Sequence, residues 1–418
     1  SLTTDIPLAG GLVESPLGQF EKWGFGWLES IFVTESVVLP KIVDQTAKFL
    51  LDWNAIYYFV RPYAANVIDG VYFEKREDVG DISYLKIKEE FTSPILVPSN
   101  ASAILHIGDL SAYDTIYRFL GMRNLNSKKI VVANNSKYID EYRLTDLKKF
   151  DAVLLYRYDY HNRSKAWELV EKYLKEGGRV YVDTGPEGYE SKSDSLPDFF
   201  PIKRTLRDDI GVLWDAEVMD AKLGENVDFN SFSPLDFDGE AWNVSHPRDE
   251  KDLNPDARVI LKNNDIIVSA ASDVGSGKLI WTGFNLPYHI IRDYNEEEAN
   301  FFVNLLSSMV DISEKVVPKV EYRWISPERR EVTVGGARAV LFKEQDFGDW
   351  RAVSNSGDKL KIYRTGPVSP GFMYVPFEKG EIPDSVIFSY RGELRFWIFS
   401  IISVLSLVFL ITRIFRGR

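Results

Sequence analysis

Three of the four histidines, together with several carboxylates and tyrosines, directly follow predicted buried strands of this chain. Ligands of open parallel sheets bind beyond the carboxyl ends of the strands. The residues predicted to share that edge are His106, Asp109, Tyr158, Asp159, His161, Asp183, Glu187, Tyr288 and His289. Such a set could bind a sugar, or a metal such as zinc or calcium, because imidazole and carboxylate groups ligate metals and accept hydrogen bonds.

The same residues divide by the chemistry that each type can do. The candidates for catalysis in a hydrolase or transferase are His106, Asp159, Asp183 and His289. The candidates for ligand binding are Asp109, Tyr158, His161, Glu187 and Tyr288. The alternative is that all of them are loop residues that form caps and turns. The sequence predicts no cofactor and leaves the presence of a metal open.

Asn-X-Ser triplets provide acceptor sites for N-linked glycans on a chain that lies outside the cell. They begin at Asn100, Asn134, Asn162 and Asn243, each in a predicted loop. Because such triplets also arise by chance, they mark only the positions where the modification is chemically feasible.

The composition limits the classes of partner and of chemistry. A chain of 418 residues predicts two or three domains, and 45% hydrophobic residues suffice for packed cores. The net charge of −12 argues against nucleic-acid binding, which needs a concentrated basic face. The absence of cysteine excludes disulfides, thiolate metal sites and cysteine nucleophiles. Abundant Glu, Lys and Arg without Cys would suit a heat-adapted organism.

Strands alternate with helices in the middle of the chain, and this alternation predicts a parallel sheet covered on both faces. Gly177 and Gly178 are expected to end its best helix, and Asp293 or Asn295 to cap its last one. The stretches on either side are rich in short strands. The predicted fold is therefore a flavodoxin-like α/β domain inserted into a β-sandwich, with one C-terminal transmembrane helix. The long acidic stretch 189–256 is expected to be a lid or another functional insertion.

These patterns divide the chain into five segments. They are an aromatic-rich helical segment at 1–53, the first part of the sandwich at 54–102, the α/β domain at 103–312, the second part of the sandwich at 313–392, and the membrane helix with its tail at 393–418. The first segment is expected to pack on the rest of the protein; the alternative, which its density of Trp and Phe would favour, is a position at a bilayer interface.

Residues 396–412 carry no charge and predict a membrane span. Arg413, Arg416 and Arg418 follow, so the positive-inside rule places the tail in the cytoplasm and the bulk of the chain outside the cell. The lipid bilayer is then one partner. Because the chain starts at Ser1 without a hydrophobic leader, we expect that a signal peptide or an upstream membrane region preceded it.

Three stretches resemble class I glutamine-amidotransferase-like domains: DAVLLYRYDYHN at 151–162, RVYVDTGPEGY at 179–189 and GKLIWTGFNLPYH at 277–289. The resemblance covers about half of the chain. It implies a nucleophile at the turn within the second stretch and a catalytic histidine at His289. The chain departs from the family pattern because Thr184 stands where the family has cysteine, and Ile290 and Ile291 replace a proline–glutamate pair. Amidotransferase activity is therefore not expected.

The stretches KEQDFGDWRAV at 343–353, GFMYVPFEKGEIPDSVIFSYRG at 371–392 and FLLDWNAIYYFV at 49–60 resemble parts of large polytopic membrane proteins. These families include archaeal pyruvoyl-tetrahydropterin-synthase-related membrane proteins and glycosyltransferases that decorate cell-surface polymers. The resemblance implies that this chain is the external half of such a protein, and that its partner is the upstream membrane portion or another membrane subunit.

Three hypotheses for function follow. The first is a membrane-anchored extracellular module without catalysis that binds or positions a glycan, a cell-envelope component or a partner subunit beside a glycosyltransferase-like protein. The second is a hydrolase or transferase acting on a surface glycan through the histidines and aspartates at the strand ends. The third is a structural subunit of a membrane complex. Exposed tyrosines at the strand ends, Tyr158, Tyr160 and Tyr288 among them, would favour glycan binding, and an open cleft with paired catalytic side chains would favour the enzyme.

Overall fold

The computed structural model describes residues 40–53, 59–60, 65–66, 70–80, 82–88, 91, 95–185, 188–237, 239–318, 321–326, 328–346, 348–367, 371–390 and 402–406. The α-helices whose bounds it defines are α1 (Pro40–Asp52), α2 (Leu110–Met122), α3 (Leu144–Leu147), α4 (Arg163–Lys175), α5 (Leu286–Asp293) and α6 (Glu296–Ser307).

The β-strands with defined bounds begin near the N-terminal end of the described residues and continue to their last long stretch. They are β1 (Phe59–Val60), β2 (Phe73–Val79), β3 (Ile82–Ile87), β4 (Leu96–Ser99), β5 (Ser102–Ile107), β6 (Ile130–Asn134), β7 (Ala152–Tyr156), β8 (Arg179–Asp183), β9 (Leu206–Asp209), β10 (Ala216–Val218), β11 (Asp236–Phe237), β12 (Glu240–Ala241), β13 (Asn243–His246), β14 (Arg258–Asn263), β15 (Ile266–Val274), β16 (Gly277–Thr282), β17 (Tyr322–Ser326), β18 (Arg329–Thr333), β19 (Ala339–Phe342), β20 (Trp350–Ser354), β21 (Lys359–Leu360), β22 (Tyr363–Thr365), β23 (Phe372–Pro376) and β24 (Ser385–Tyr390).

A twelve-stranded mixed sheet organises the structure, with the strand order β10-β14-β15-β16-β8-β7-β5-β6-β22-β23-β19-β4. Its central strands β16, β8, β7, β5 and β6 are parallel, and the strands on both sides of them are antiparallel. Strands β5, β6 and β7 are buried along their whole length, which explains their continuous apolar sequences.

The predicted fold class, a flavodoxin-like α/β domain inserted into a separate β-sandwich with a C-terminal transmembrane helix, is wrong. The described residues form mostly strands, twelve of them in one large mixed sheet, with few helices. The prediction fails at the outer edge of β6. A separate α/β domain would leave the backbone N–H and C=O groups of that edge strand unpaired. Strand β22 pairs with that edge, with Arg364 opposite Asn134, and β23, β19 and β4 extend the sheet from there.

A five-stranded sheet, in the order β17-β18-β24-β20-β21, packs on the β4–β19–β23 end of the large sheet. A second core lies between them and contains Leu96, Phe342, Met373 and Phe388. The main core surrounds the parallel strands, where Phe302 of α6 contacts Phe119 of α2 at a ring-centroid distance of 4.7 Å.

Local signals place the helix ends. Asn162 caps α4 by accepting from the Lys165 N–H at 3.0 Å, and Gly177, with φ of +92°, follows the helix end as predicted. Of the two predicted caps for α6, Asn295 is the one observed, since its side chain accepts from the backbone N–H groups of Glu297 and Glu298.

The predicted membrane anchor at 396–412, and with it the localisation as a single-pass membrane protein, is wrong. Within the described ranges, no helix is long and apolar enough to cross a bilayer. Of that stretch the structure describes residues 402–406 only. Of the predicted helical segment at 1–53, residues 1–39 lie outside the described residues, and the described part forms helix α1.

Candidate functional site

The carboxyl ends of β5, β7, β8 and β16 approach one another so closely that backbone fills the space between them. A Cβ atom at Gly108 would lie 1.9 Å from the carbonyl oxygen of Tyr156, and one at Gly185 would lie 2.0 Å from the amide nitrogen of Asn285. Only glycine permits these approaches. Both are therefore packing requirements of a closed edge.

Asp183, the last residue of β8, is 2% exposed. Its carboxylate accepts hydrogen bonds at 2.7–3.2 Å from the backbone N–H groups of Gly185, Asn285 and Leu286 and from the hydroxyls of Tyr181 and Thr282. Burial raises the pKa of Asp183 to about 6, and the donors oppose this shift by favouring the charged form. The carboxylate joins β8 to the start of α5, where it accepts hydrogen bonds from N–H groups that the helix itself leaves without a partner.

His106 is fully buried inside β5. Its Nε2 donates to the carbonyl oxygen of Tyr156 at 3.2 Å, and its Nδ1 accepts from the Asn134 amide at 3.1 Å. Burial lowers the pKa of His106 to about 4, so the imidazole is neutral at pH 7. Both ring nitrogens already have partners, and the ring has no route to a ligand.

His289, on α5, is fully buried and pairs with the equally buried Glu298 of α6 at 2.8 Å. Its Nε2 lies 3.2 Å from the carbonyl oxygen of Pro234, and Glu298 also accepts from the Ser233 N–H at 2.8 Å. Because Pro234 and Ser233 belong to the 189–256 segment, this pair fastens that segment to both helices.

The remaining acidic and histidine candidates take part in surface interactions. Asp159 forms an ion pair with Lys137 at 3.0 Å. The side chain of His161 is exposed, and its ring stacks on Tyr138 with the two ring centroids 4.0 Å apart. Asp109 caps α2 through the Ala112 N–H and pairs with Arg157 at 3.1 Å. Glu187 lies outside the described residues.

Among the described residues, the candidate catalytic side chains His106, Asp159, Asp183 and His289 hydrogen-bond to other groups and not to one another. Thr184, at the position of the amidotransferase nucleophile, is 3% exposed and hydrogen-bonds with Ser245 and Trp281. The part of the chain that the structure describes contains no group of three or more His, Cys, Asp or Glu residues placed to hold a metal. The candidate residues at this edge of the sheet therefore cap helices and pack against neighbouring elements.

A different carboxylate, Glu190, forms the centre of a partly buried aromatic surface that is exposed at Tyr189. We call this surface the aromatic platform, and it consists of Tyr158, Tyr160, Trp167 and Tyr189 around Glu190. The Glu190 side chain is 2% exposed and accepts from the hydroxyls of Tyr158 and Tyr160 at 3.1 Å each and from the Trp167 indole at 3.2 Å. Tyr189 is 64% exposed and stacks on Tyr160, with centroids 5.0 Å apart and ring planes at 29°.

Electrostatics keep the platform hydroxyls protonated. Burial, followed by the Glu190 charge, raises the pKa of both Tyr158 and Tyr160 above the ordinary tyrosine value. Arg163 at the start of α4 adds a cation 3.4 Å from Glu190, and its guanidinium also donates to the Ser195 carbonyl. The carboxylate is therefore paired, and the orientation of each ring is fixed by a hydrogen bond or a stack.

The sequence predicts Tyr158 as a ligand-binding residue and Tyr160 as an exposed aromatic at the same edge, but it does not indicate Glu190 or Trp167 as their partners. The signal available was the run of three tyrosines at 156, 158 and 160. Glu190 lies in a stretch without periodicity, so its burial could not be inferred. The other predicted binding tyrosine, Tyr288, is 37% exposed and stacks on Trp242 at 6.1 Å.

The predicted glycosylation sites differ in their surroundings. The Asn134 side chain is 3% exposed and its nitrogen donates to His106 and to the Gly108 carbonyl, so the folded protein cannot carry a glycan there. Asn100 accepts from the Arg338 N–H at 3.2 Å. Asn162 and Asn243 are exposed.

A family model described as a domain of unknown function (DUF8560) matches residues 129–289. This range contains the aromatic platform and the carboxyl ends of β6, β7, β8 and β16. No curated protein matches the sequence. The family match tests neither the amidotransferase-like nor the membrane-protein resemblance, and both stay predictions.

Solved structures resemble about half of the chain at low identity. The cytoplasmic protein STM3548 from Salmonella typhimurium has 10% identity and a TM-score of 0.36, with 50% of this chain and 99% of that chain covered. STM1381 from Salmonella typhimurium LT2 has 15% identity and a TM-score of 0.34, with 50% and 99% covered. The mmIFT52 N-terminal domain has 16% identity and a TM-score of 0.33, with 50% and 96% covered. At such TM-scores these likenesses support no inference about function.

Proposed function

We propose that this chain is a non-catalytic module that binds a glycan at the aromatic platform. The observation that carries the proposal is the exposed ring of Tyr189, held by stacking on Tyr160 above the buried Glu190. One face of a pyranose ring presents C–H groups, and these pack on an aromatic ring whose orientation is already fixed. Fixed rings lose little conformational entropy when they bind, which favours affinity.

The polar atoms of the platform suit the hydroxyl groups of a sugar. The hydroxyls of Tyr158 and Tyr160 donate to Glu190, so each has only its oxygen lone pairs left for a further hydrogen bond, as an acceptor. Arg163, whose side chain is 45% exposed, supplies N–H donors at the same rim. Aromatic area combined with a few oriented polar groups is the usual composition of a small-molecule binding surface.

The absence of catalysis is proposed because the candidate acids and bases serve other roles. His106, Asp183 and His289 are buried and hydrogen-bonded, and Asp159 forms an ion pair with Lys137. A general base must reach the proton that it removes. The wider hypothesis, that the module works beside a glycosyltransferase-like membrane protein, stays a prediction from the sequence resemblance.

The test is a glycan array probed with the full chain, followed by titration of the strongest ligand. We expect Tyr189→Ala to weaken binding about tenfold or more, because the stacking ring is lost, and Tyr189→Phe to retain most of the affinity. Leu213→Ala is the matched control, since Leu213 is a 74% exposed apolar side chain in the same 189–256 segment. The proposal would be contradicted if the chain bound no glycan on the array, or if the Tyr189→Ala variant bound its ligand with unchanged affinity.

A further inference from the structure

A second stack of rings lies beside the aromatic platform and begins at the next residue of the same loop. The ring of His161 lies on the ring of Tyr138, with the centroids 4.0 Å apart and the ring planes at 17°. We call the group of His161, Tyr138 and Glu141 the histidine stack. It repeats the arrangement of the platform, where the exposed Tyr189 lies on the more buried Tyr160.

Contacts with neighbouring side chains hold both rings of the histidine stack in place. The Nε2 atom of His161 lies 3.2 Å from one carboxylate oxygen of Glu141, and the other oxygen accepts from the Ser136 hydroxyl. The Lys137 ammonium lies 4.9 Å from the centre of the Tyr138 ring. The His161 side chain is nevertheless 60% exposed, so the ring face that Tyr138 does not cover is open to solvent. An exposed ring of fixed orientation loses little conformational entropy when it binds.

Hydrogen bonds join the loop that carries both stacks to the two segments that complete them. The Asp140 carboxylate accepts from the backbone N–H of His161 at 2.9 Å. Arg163, two residues later, lies 3.4 Å from Glu190 of the platform. Tyr160 and His161 are consecutive residues, so their Cα atoms are about 3.8 Å apart. The two stacks therefore lie next to each other on one short stretch of backbone.

The charges at the histidine stack favour a ligand that carries hydroxyl groups and no phosphate. The Glu141 side chain is 49% exposed. Hydrogen bonds from Ser136 and His161 lower the pKa of Glu141, so its carboxylate is charged at neutral pH. A carboxylate accepts hydrogen bonds from sugar hydroxyls, whereas it repels a phosphate group. The net charge of −12 likewise disfavours a nucleic acid.

We propose that the histidine stack is a second sugar subsite and that the ligand is a short linear oligosaccharide. This inference rests on the proposed glycan binding at the aromatic platform. One sugar unit packs on Tyr189, and another unit of the same oligosaccharide packs on His161 while Glu141 accepts from its hydroxyls. Because the units are linked, the second contact adds affinity without a second loss of translational freedom. Affinity therefore rises with the length of the oligosaccharide until it spans both stacks.

Isothermal titration calorimetry on the full chain tests this inference with cello-, manno- and chito-oligosaccharides of one to six units. In the series that binds, we expect the affinity to increase by about fivefold or more between the shortest ligand that binds and the first that spans both stacks. The affinity should stay constant for longer ligands. Absence of binding in all three series would overturn the proposed function together with the second subsite.

Variants of the two exposed rings separate the subsite from the platform. His161→Ala is expected to remove the increase with ligand length and to leave the affinity for the shortest ligand unchanged, which also shows that the variant is folded. Tyr189→Ala should weaken binding at every length. His161→Tyr again places a ring on Tyr138 and should keep the increase.

Lys165→Ala is the matched control, because Lys165 is an exposed residue in the first turn of α4. It should bind every ligand like the unmodified chain. An affinity that does not depend on ligand length, or an increase with length that persists in His161→Ala, would overturn the second subsite and leave the proposed function standing.

Discussion

The carboxyl edge of the parallel strands and the aromatic platform each contain a carboxylate that is 2% exposed, and the two differ in the groups that donate to it. Asp183 accepts mainly from backbone N–H groups of a closed loop. Glu190 accepts from the polar tips of side chains, including Tyr160, whose ring supports the exposed Tyr189. A buried carboxylate therefore does not by itself indicate a ligand site. The two carboxylates differ in whether their hydrogen-bond donors belong to side chains that reach the protein surface.

The largest effect is expected for Asp183→Ala. This change leaves three backbone N–H groups and two hydroxyls without their acceptor in a closed, buried place. We expect the free energy of unfolding to fall by about 4 kcal/mol, measured by urea denaturation. Asp159→Ala, which removes a partly exposed ion pair, serves as the control and should cost far less. Equal losses in the two variants would contradict the assigned role of Asp183.

The next effect concerns the pH dependence contributed by His106. Its pKa falls from the ordinary 6.5 to about 4 on folding, so its contribution to stability is complete above pH 6.5 and is lost as the pH falls towards 4. His106→Gln removes this dependence. We expect the difference in unfolding free energy between the unmodified chain and His106→Gln to change by about 3 kcal/mol between pH 7 and pH 4.

Urea denaturation of both proteins across that range measures this difference. Comparing the two cancels the other titrating groups, including Asp183, whose raised pKa acts in the opposite direction because its contribution declines as the pH rises from about 4 to about 6. A pH-independent difference would show that His106 is not held neutral by burial.

The smallest of these effects is expected for Glu190→Gln, which keeps the shape but removes the charge. Its amide group cannot accept from all of Tyr158, Tyr160 and Trp167 as the carboxylate does, so we expect a loss of about 2 kcal/mol in unfolding free energy. Ligand affinity should fall as well, because the rings lose their fixed orientation. Glu168→Gln on the exposed side of α4 is the control and should change neither quantity.

Local features of the fold were predictable because they depend on neighbouring residues. The apolar run of β5, the helix α4 with Gly177 after it, and the Asn295 cap of α6 all follow from short patterns. The sheet was not predictable in the same way. The pairing of β22 with β6 joins residues that are distant in sequence, and the sequence contains no local mark of it.

The candidate site shows the same limit. The sequence indicates that Asp183 and His289 follow strands, but whether they face a cleft depends on the 189–256 segment, which covers the edge through Ser245 and Pro234. That segment contains only short strands of two to four residues and has no regular sequence period, so neither its path nor the burial of Glu190 within it could be inferred. Whether a carboxylate side chain is exposed depends on the whole folded chain, and this exposure separates a catalytic carboxylate from a structural one.

The pairing of β6 with β22 has a consequence for synthesis on the ribosome. Thr365 donates to the carbonyl oxygen of Val132, 233 residues earlier in the chain. At a translation rate of about 5–20 residues per second, the edge of β6 waits roughly 10–50 seconds for its partner. During that interval the nascent chain presents an open edge at the centre of its future sheet, so folding to completion must follow the release of residues beyond β22.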